Sequence, residues 1–269
     1  MKYDQNIRPG RYKIQPNLSN RSLVGQLRIG QQEPVSITIS TARTLDQVAG
    51  VISHRLESDS LTILKALLNP EFLRANNLTE ASAISMIIPN TYQVYWNISG
   101  EQLANRLHDE YEAFWRANDR TKKQQALGMT RQEISALASI VEKETIQNPE
   151  RPIIAGLYLN RLKDNIHLQA DPTVVFGVGD FNIRRVLNKH LEYDTPYNTY
   201  IHPGLPPGPI CMPSIASIDA VLSADKHDYI FMCAKPGYNG AHNFAATNAE
   251  HERNATVYRR WLDKEGIKG

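Results

Sequence analysis

Thr130-Arg131-Gln132-Glu133-Ile134-Ser135-Ala136-Leu137-Ala138-Ser139-Ile140-Val141-Glu142-Lys143-Glu144-Thr145 is the stretch around which the chain is organised. Thr130 and Glu133 have the Thr-x-x-Glu spacing of a capping box, in which each side chain satisfies a free backbone N–H at a helix start. Met129 and Ile134 are placed to form the accompanying hydrophobic staple. At about 100° per residue, Ile134, Leu137, Ala138 and Val141 share one face. Glu142 lies on one flank of that face and Glu144 on the other, about 160° apart on the same count, while Lys143 points away. A carboxyl at the margin of an apolar stripe is partly desolvated, which raises its pKa toward the range of a general acid. A snorkelling surface carboxylate has the same local signature, so the rest of the chain has to decide.

The 269 residues have room for one large domain or a small one joined to a medium one, with enough buried surface to need no disulfide staple. Thirty basic against 28 acidic residues leave a net charge of +2. With no dense Lys/Arg run among aromatics, that balance argues against a nucleic-acid partner but leaves a carbohydrate one open. Cys211 and Cys233 sit in no Cys-x-x-Cys pattern, so they either pair or act as independent small residues. No apolar run approaches the length of a membrane span, and the first residues, Met1 to Asn6, have no signal-peptide character. As it stands the chain reads as soluble.

The fold expected is α+β. Residues 11–15 read as a short strand, Ser19 to Arg28 as a helix and Pro34 to Ile39 as an alternating strand, together a small β-α-β unit. Helices follow over Thr44 to Leu56, from a cap at Ser58 or Ser60, and from Pro70. After the extended, aromatic stretch Ile87 to Trp96, Ser99 to Ala117 carries Leu103, Leu107, Tyr111 and Trp115 in one stripe. Asn118 to Gln125 is polar and is the expected linker. Beyond the opening helix, Pro152 suits the first turn of a second one. Gln169 to Gly179 reads as a loop leading into a buried strand or turn. Six prolines between 195 and 213 define a rigid irregular path suited to a substrate groove. Ser214 to Ser223 is a short helix, Tyr229 to Ala234 a buried strand, and 236–240 a turn. Thr247 and Glu250 form a second capping box that opens a last helix. The expected division is 1–88, the N-terminal unit with its following helices, and 89–269, a mixed α/β catalytic domain with the Glu-bearing helix at its centre.

The eight histidines show no His-Glu-x-x-His or Cys/His cluster, Gly-x-Ser-x-Gly is missing, and Gly177-Val178-Gly179 lacks the rest of a nucleotide fingerprint. What remains is carboxylate chemistry by Glu142, Glu144 or Asp171 beside loops rich in Tyr, Asn, Thr and His. Glycosidic bond cleavage is the reaction class that uses such a set. No metal or cofactor is expected.

Leu137 to Thr145, Asn160-Arg161-Leu162, Leu168-Gln169-Ala170-Asp171-Pro172-Thr173-Val174 and Tyr197-Asn198-Thr199-Tyr200 resemble the signature of the endolytic murein transglycosylase (YceG-like) family. Gly204 to Ile210 and His242-Asn243-Phe244 continue the match. Arg8 to Tyr12 and Leu23 to Pro34 resemble that family's LysM-like module less distinctively. The resemblance implies a lytic transglycosylase. It would cut the β-1,4 bond between N-acetylmuramic acid and N-acetylglucosamine within peptidoglycan strands, without water, to leave 1,6-anhydromuramoyl ends. Glu142 is then the expected acid and later the base. Gln169, Asp171, Tyr197, Asn198, Thr199, Tyr200, His242, Phe244 and Thr247 are the expected substrate-binding residues. Asn198, Thr199 and Tyr200 suit groove contacts and loop hydrogen bonds equally, and Glu144 is expected to be structural. The partners implied are glycan strands, with peptidoglycan synthases open. Family members carry an N-terminal membrane anchor, so the chain is read as starting after one, on the extracytoplasmic side of the membrane. A non-catalytic peptidoglycan-binding scaffold and a hydrolytic muramidase are the competing readings. The transglycosylase reading carries a geometric requirement: the loops at 169–173, 197–208 and 242–247 should converge on the Glu142 side of the helix.

Overall fold

Val35, Ile37 and Ile39 alternate with polar residues, and strand β1 (Val35–Ile39) accordingly buries one face and exposes the other. Its partner lies far along the chain. β1 pairs antiparallel with β2 (Asn90–Val94), Ile37 opposite Tyr92 and Val35 opposite Val94. The structure is a computed structural model that describes residues 7–237 and 240–266. Met1 to Asn6, and Tyr238 and Asn239 of the expected turn, lie outside the described residues. The chain divides into two compact units, 1–112 and 113–269, and the division falls inside helix α5 (Gly100–Arg116).

In the first unit, α1 (Asn20–Ile29) starts at Ser19 and ends at Gly30 in the left-handed conformation that glycine adopts without strain. The expected strand at 11–15 is irregular. Bonds from Glu33 N to Arg11 O and from Gln26 Nε2 to Lys13 O tie it down, and no ladder forms. The anticipated β-α-β unit is therefore replaced by the long-range β1–β2 pair. α2 (Leu45–Ser53), capped by Thr44, buries Leu45, Val48 and Ile52. α3 (Ser60–Leu67) is capped by Asp59 and buries Ile63 and Leu67, leaving Leu61 exposed. α4 (Pro70–Ala75) follows from Asn69. Each such fully buried aliphatic side chain contributes about 1.5–3 kcal/mol.

In the second unit, the expected linker is helix α6 (Arg120–Leu127). Arg120 is buried, bonded through Nε and Nη2 to the two carboxylate oxygens of Asp219 at 2.7 and 2.9 Å, with its guanidinium over the Phe114 ring. The capping box of Thr130 and Glu133 opens α7 (Arg131–Glu144) as expected. Every residue from Ile134 to Val141 is buried. α7 is thus enclosed all round, packed against α8 (Arg151–Lys163), α9 (Asp171–Val178) and α11 (Ile215–Leu222). The stretch expected as a loop at 169–179 is α9 over most of its length, because Pro172 sits in the first turn, where a missing N–H costs nothing. The short α10 (Asn188–Leu191) precedes the proline-rich path. β3 (Phe231–Ala234) pairs antiparallel with β4 (His242–Ala245), and α12 (Asn248–Lys264) packs against both from its Thr247–Glu250 capping box. Cys211 and Cys233 are both free thiols.

Candidate active site

The enclosure of α7 makes both of its C-terminal carboxylates partly buried, and they face different neighbours. Glu142 turns toward α11. Its Oε2 accepts from Ser214 Oγ at 2.5 Å, Ser217 Oγ at 2.6 Å and Ser214 N at 3.3 Å, and Arg151 Nη2 stands 3.3 Å from Oε1. Burial alone would raise its pKa, but the two hydroxyls and the guanidinium outweigh it and hold the carboxyl below its ordinary value. A group so held is ionised at neutral pH and has its acceptor capacity used internally.

Glu144 turns toward a cleft of about 440 Å³. Its Oε1 accepts from Tyr158 Oη at 2.7 Å. Burial raises its pKa to about 7, helped by the nearby charge of Asp171 and opposed by the Tyr158 hydroxyl, His242 and Arg161. The cleft is lined by Glu144, Tyr158 and Arg161 from α7 and α8, and by Gln169, Asp171 and Tyr200 from the following segments. Phe231 and Met232 of β3 and Asn248, His251 and Glu252 of α12 complete it. Tyr200 Oη donates to Asp171 Oδ1 at 2.6 Å, and burial with the adjacent carboxylates pushes the phenol pKa up. Phe231 stacks on His251 with ring centres 5.2 Å apart. Among the described residues, no three His, Cys, Asp or Glu side chains gather as metal ligands would.

Two of the three loops expected to converge on Glu142 reach the Glu144 cleft instead, and the side chains bonded to Glu142 come from Arg151, Ser214 and Ser217. Of the expected substrate-binding residues, Gln169, Asp171 and Tyr200 line the cleft with Glu144. Gln169 adopts a left-handed backbone, φ +51°, strained for a non-glycine residue and held by a bond from its N to Thr199 O. The others lie behind or beside the cleft. Asn198, fully buried, donates to Leu191 O and Tyr193 O and accepts from Tyr200 N. Thr199 Oγ1 accepts from Ala170 N and bonds Thr173 Oγ1. Both thus serve the loop. Tyr197 packs on Phe176 with centres 4.7 Å apart, and Phe244 stacks on Tyr229. Thr247 caps α12 and so sets up the helix whose first turns reach the cleft. His242 bonds Glu150 twice, through its backbone N at 2.8 Å and Nδ1 at 2.9 Å. Glu150 also takes Thr145 Oγ1, next to Glu144.

Sequence reasoning missed Tyr158 and marked Arg161 only as part of the Asn160-Arg161-Leu162 motif, with no place in the site. Their three-residue spacing puts both on one face of α8, but only the fold shows that this face looks at Glu144. Asn248, His251 and Glu252 carried a weaker signal, the spacing of an exposed face just after a capping box.

A sequence model of the YceG-like family matches residues 1–257. The chain belongs to the YceG-like family. The chain is similar to an endolytic murein transglycosylase of Bacillus subtilis (strain 168), with 43% identity over 122 residues, 45% of this chain and 33% of that protein. It is also similar to one from Streptococcus pneumoniae (strain R6), with 27% identity over 286 aligned residues, 94% of this chain and 51% of that one. The chain thus spans from a third to about half of these relatives. A crystal structure of a YceG-like protein from Listeria monocytogenes superposes with a TM-score of 0.70 at 28% identity, covering 94% of this chain and 86% of that one. Among the described residues no helix is long and apolar enough to cross a membrane.

Proposed function

We propose that this YceG-like chain is a lytic transglycosylase of peptidoglycan, with Glu144, and not Glu142, as its acid and base. The observation that carries this is a buried carboxyl with a pKa near 7, hydrogen-bonded by one phenol and facing an open polar cleft. Protonated Glu144 donates to the glycosidic oxygen as the C1–O bond breaks, and that oxygen leaves as a hydroxyl with the electron pair of the bond. The resulting carboxylate then takes the proton of the muramoyl C6 hydroxyl as O6 closes on C1, which returns Glu144 to its protonated form without consuming water. A pKa near working pH suits a group that must first give and then take a proton. Arg161 and the Tyr158 hydroxyl support the intermediate carboxylate. Glu142 binds α7 to α11.

The relatives' names supply the substrate class, and the polar cleft with its Phe231–His251 stack suits a sugar. The same reading takes residues 1–88 as a LysM-like module with its following helices, and 89–269 as the catalytic part. It sets the enzyme to trimming or terminating nascent strands outside the cytoplasmic membrane, held by an anchor and with a synthase as a partner. Mass spectrometry of digested peptidoglycan tests the chemistry. Anhydromuramoyl ends are expected, and reducing muramic acid ends would make the protein a hydrolase, with Asp171 as the second carboxylate. Intact strands after digestion would leave only a binding role. Unchanged cutting by Glu144→Gln would overturn the assignment of the acid.

A further inference from the structure

Arg161 is the cationic side chain of the cleft, and it is 8% exposed. Its guanidinium is fixed from two directions. Nε donates to Ile230 O at 2.6 Å, and Nη1 donates to His167 O at 3.0 Å, Leu168 O at 2.8 Å and Gln169 Oε1 at 3.4 Å. Its plane also stands near the Phe231 ring, 5.8 Å from its centre. Among the described residues Nη2 has no hydrogen-bond partner, and it is not among the buried polar atoms sealed from solvent. The open space that Arg161 lines is the Glu144 cleft. A guanidinium buried to this degree and held by three carbonyls is a rigid donor, with its rotamer entropy already lost.

Resting on the glycan reading above, we propose that Arg161 is a substrate-binding residue whose Nη2 donates to a carbonyl oxygen on the sugar beside Glu144. The neighbours select a neutral acceptor. Asp171, Glu252 and Glu144 line the same cleft, so an anionic substrate group would meet three carboxyl groups around one guanidinium. A neutral carbonyl accepts from a guanidinium without that repulsion, and it accepts more strongly than a hydroxyl oxygen placed at random. Glycan strands offer this chemistry twice, in the acetamido group of every residue and in the lactyl amide where a stem peptide joins muramic acid. The fixed Nη2 thereby sets how the sugar ring lies over Glu144, a positioning role added to its support of the Glu144 carboxylate.

The test uses the Glu144→Gln protein uniformly labelled with 13C and 15N, the Arg161 guanidinium signal being assigned through bonds from its backbone. It is titrated with chitotetraose, which carries acetamido groups alone, and separately with solubilised peptidoglycan strands bearing stem peptides. A shift of the Arg161 signal with chitotetraose assigns the contact to an acetamido oxygen, and a shift with the stem-bearing strands alone assigns it to the lactyl amide. Shifts at Tyr200 and Gln169 with a stationary Arg161 signal would overturn the inference while leaving the glycan reading intact. No cleft shift with either probe would overturn the glycan reading and this inference with it. Arg161→Lys in the active protein adds a kinetic arm. Loss of a hydrogen bond to a charged donor predicts KM raised about ten- to a hundredfold with a smaller change in kcat. A fall in kcat alone would speak against substrate binding.

Discussion

Glu144→Gln should stabilise the protein at alkaline pH while removing its chemistry. Unfolded, the carboxyl titrates near its ordinary 4.5; folded, near 7. Between those values the folded chain holds a proton that the unfolded chain has lost, so stability falls as pH rises through the window. Below 4.5 both states are protonated and no penalty exists, and above 7 the penalty is complete. At about 1.4 kcal/mol per pH unit the gap is worth about 3 kcal/mol. Glutamine keeps the shape and an oxygen that accepts from Tyr158 Oη, but it never ionises. The variant should therefore match the wild type near pH 4.5 and exceed it by about 3 kcal/mol at pH 8, on the order of 5–10 °C in Tm. Urea unfolding of both proteins from pH 4.5 to 8, read by circular dichroism, measures the difference directly. A difference that does not change with pH, or a wild type more stable at pH 8, would refute the claim that burial holds Glu144 near 7. The same variant should lose strand cutting by at least about a hundredfold.

Three further outcomes follow from the same geometry. Cutting needs the protonated acid, so kcat/KM should fall as pH rises through about 7, and Asp171→Asn, which removes a charge that raises Glu144, should move that fall to lower pH. Glu142→Ala leaves the Arg151 guanidinium buried without its carboxylate and should cost about 3 kcal/mol, whereas Glu142→Gln should keep folded protein and measurable cutting; loss of cutting in a Glu142→Gln protein that still melts normally would return the acid to Glu142. Gly156→Ala should lower Tm by several degrees, because a Cβ there would stand 2.3 Å from Asp225 O, and an unchanged melting curve would contradict the close approach of that segment to α8.

What the sequence revealed was what neighbours in the chain decide. Both Thr-x-x-Glu boxes begin helices where they stand, since the partners are three residues apart. The helical period also separated Glu142 from Glu144 correctly. It left open which flank faced a cleft, because α11 and α8 supply that answer from 75 residues downstream and from the next helix. Asn118 to Gln125 looked like a linker because its charges had no visible partner, but Arg120 finds Asp219 at a separation of 99 residues. The strand expected at 11–15 had the right residue types and no edge to pair with, while β1 found its edge at Asn90 to Val94. For the loop motifs, family resemblance marked where residues matter. The fold then assigned Gln169, Asp171 and Tyr200 to the cleft, and Asn198 and Thr199 to holding the backbone behind them.

The two hydrogen bonds between His242 and Glu150 tie the turn after α7 to a strand 92 residues further along the chain. During synthesis the α7 helix and the turn after it leave the ribosome long before β3 and α12, which wall one side of the cleft. Until those last segments dock, the side of the cleft they wall is open to water, and the burial that raises the Glu144 pKa is incomplete. On the proposed assignment of Glu144, a chain that has not yet folded β3 and α12 lacks the surroundings its acid needs, and those late segments arm the site.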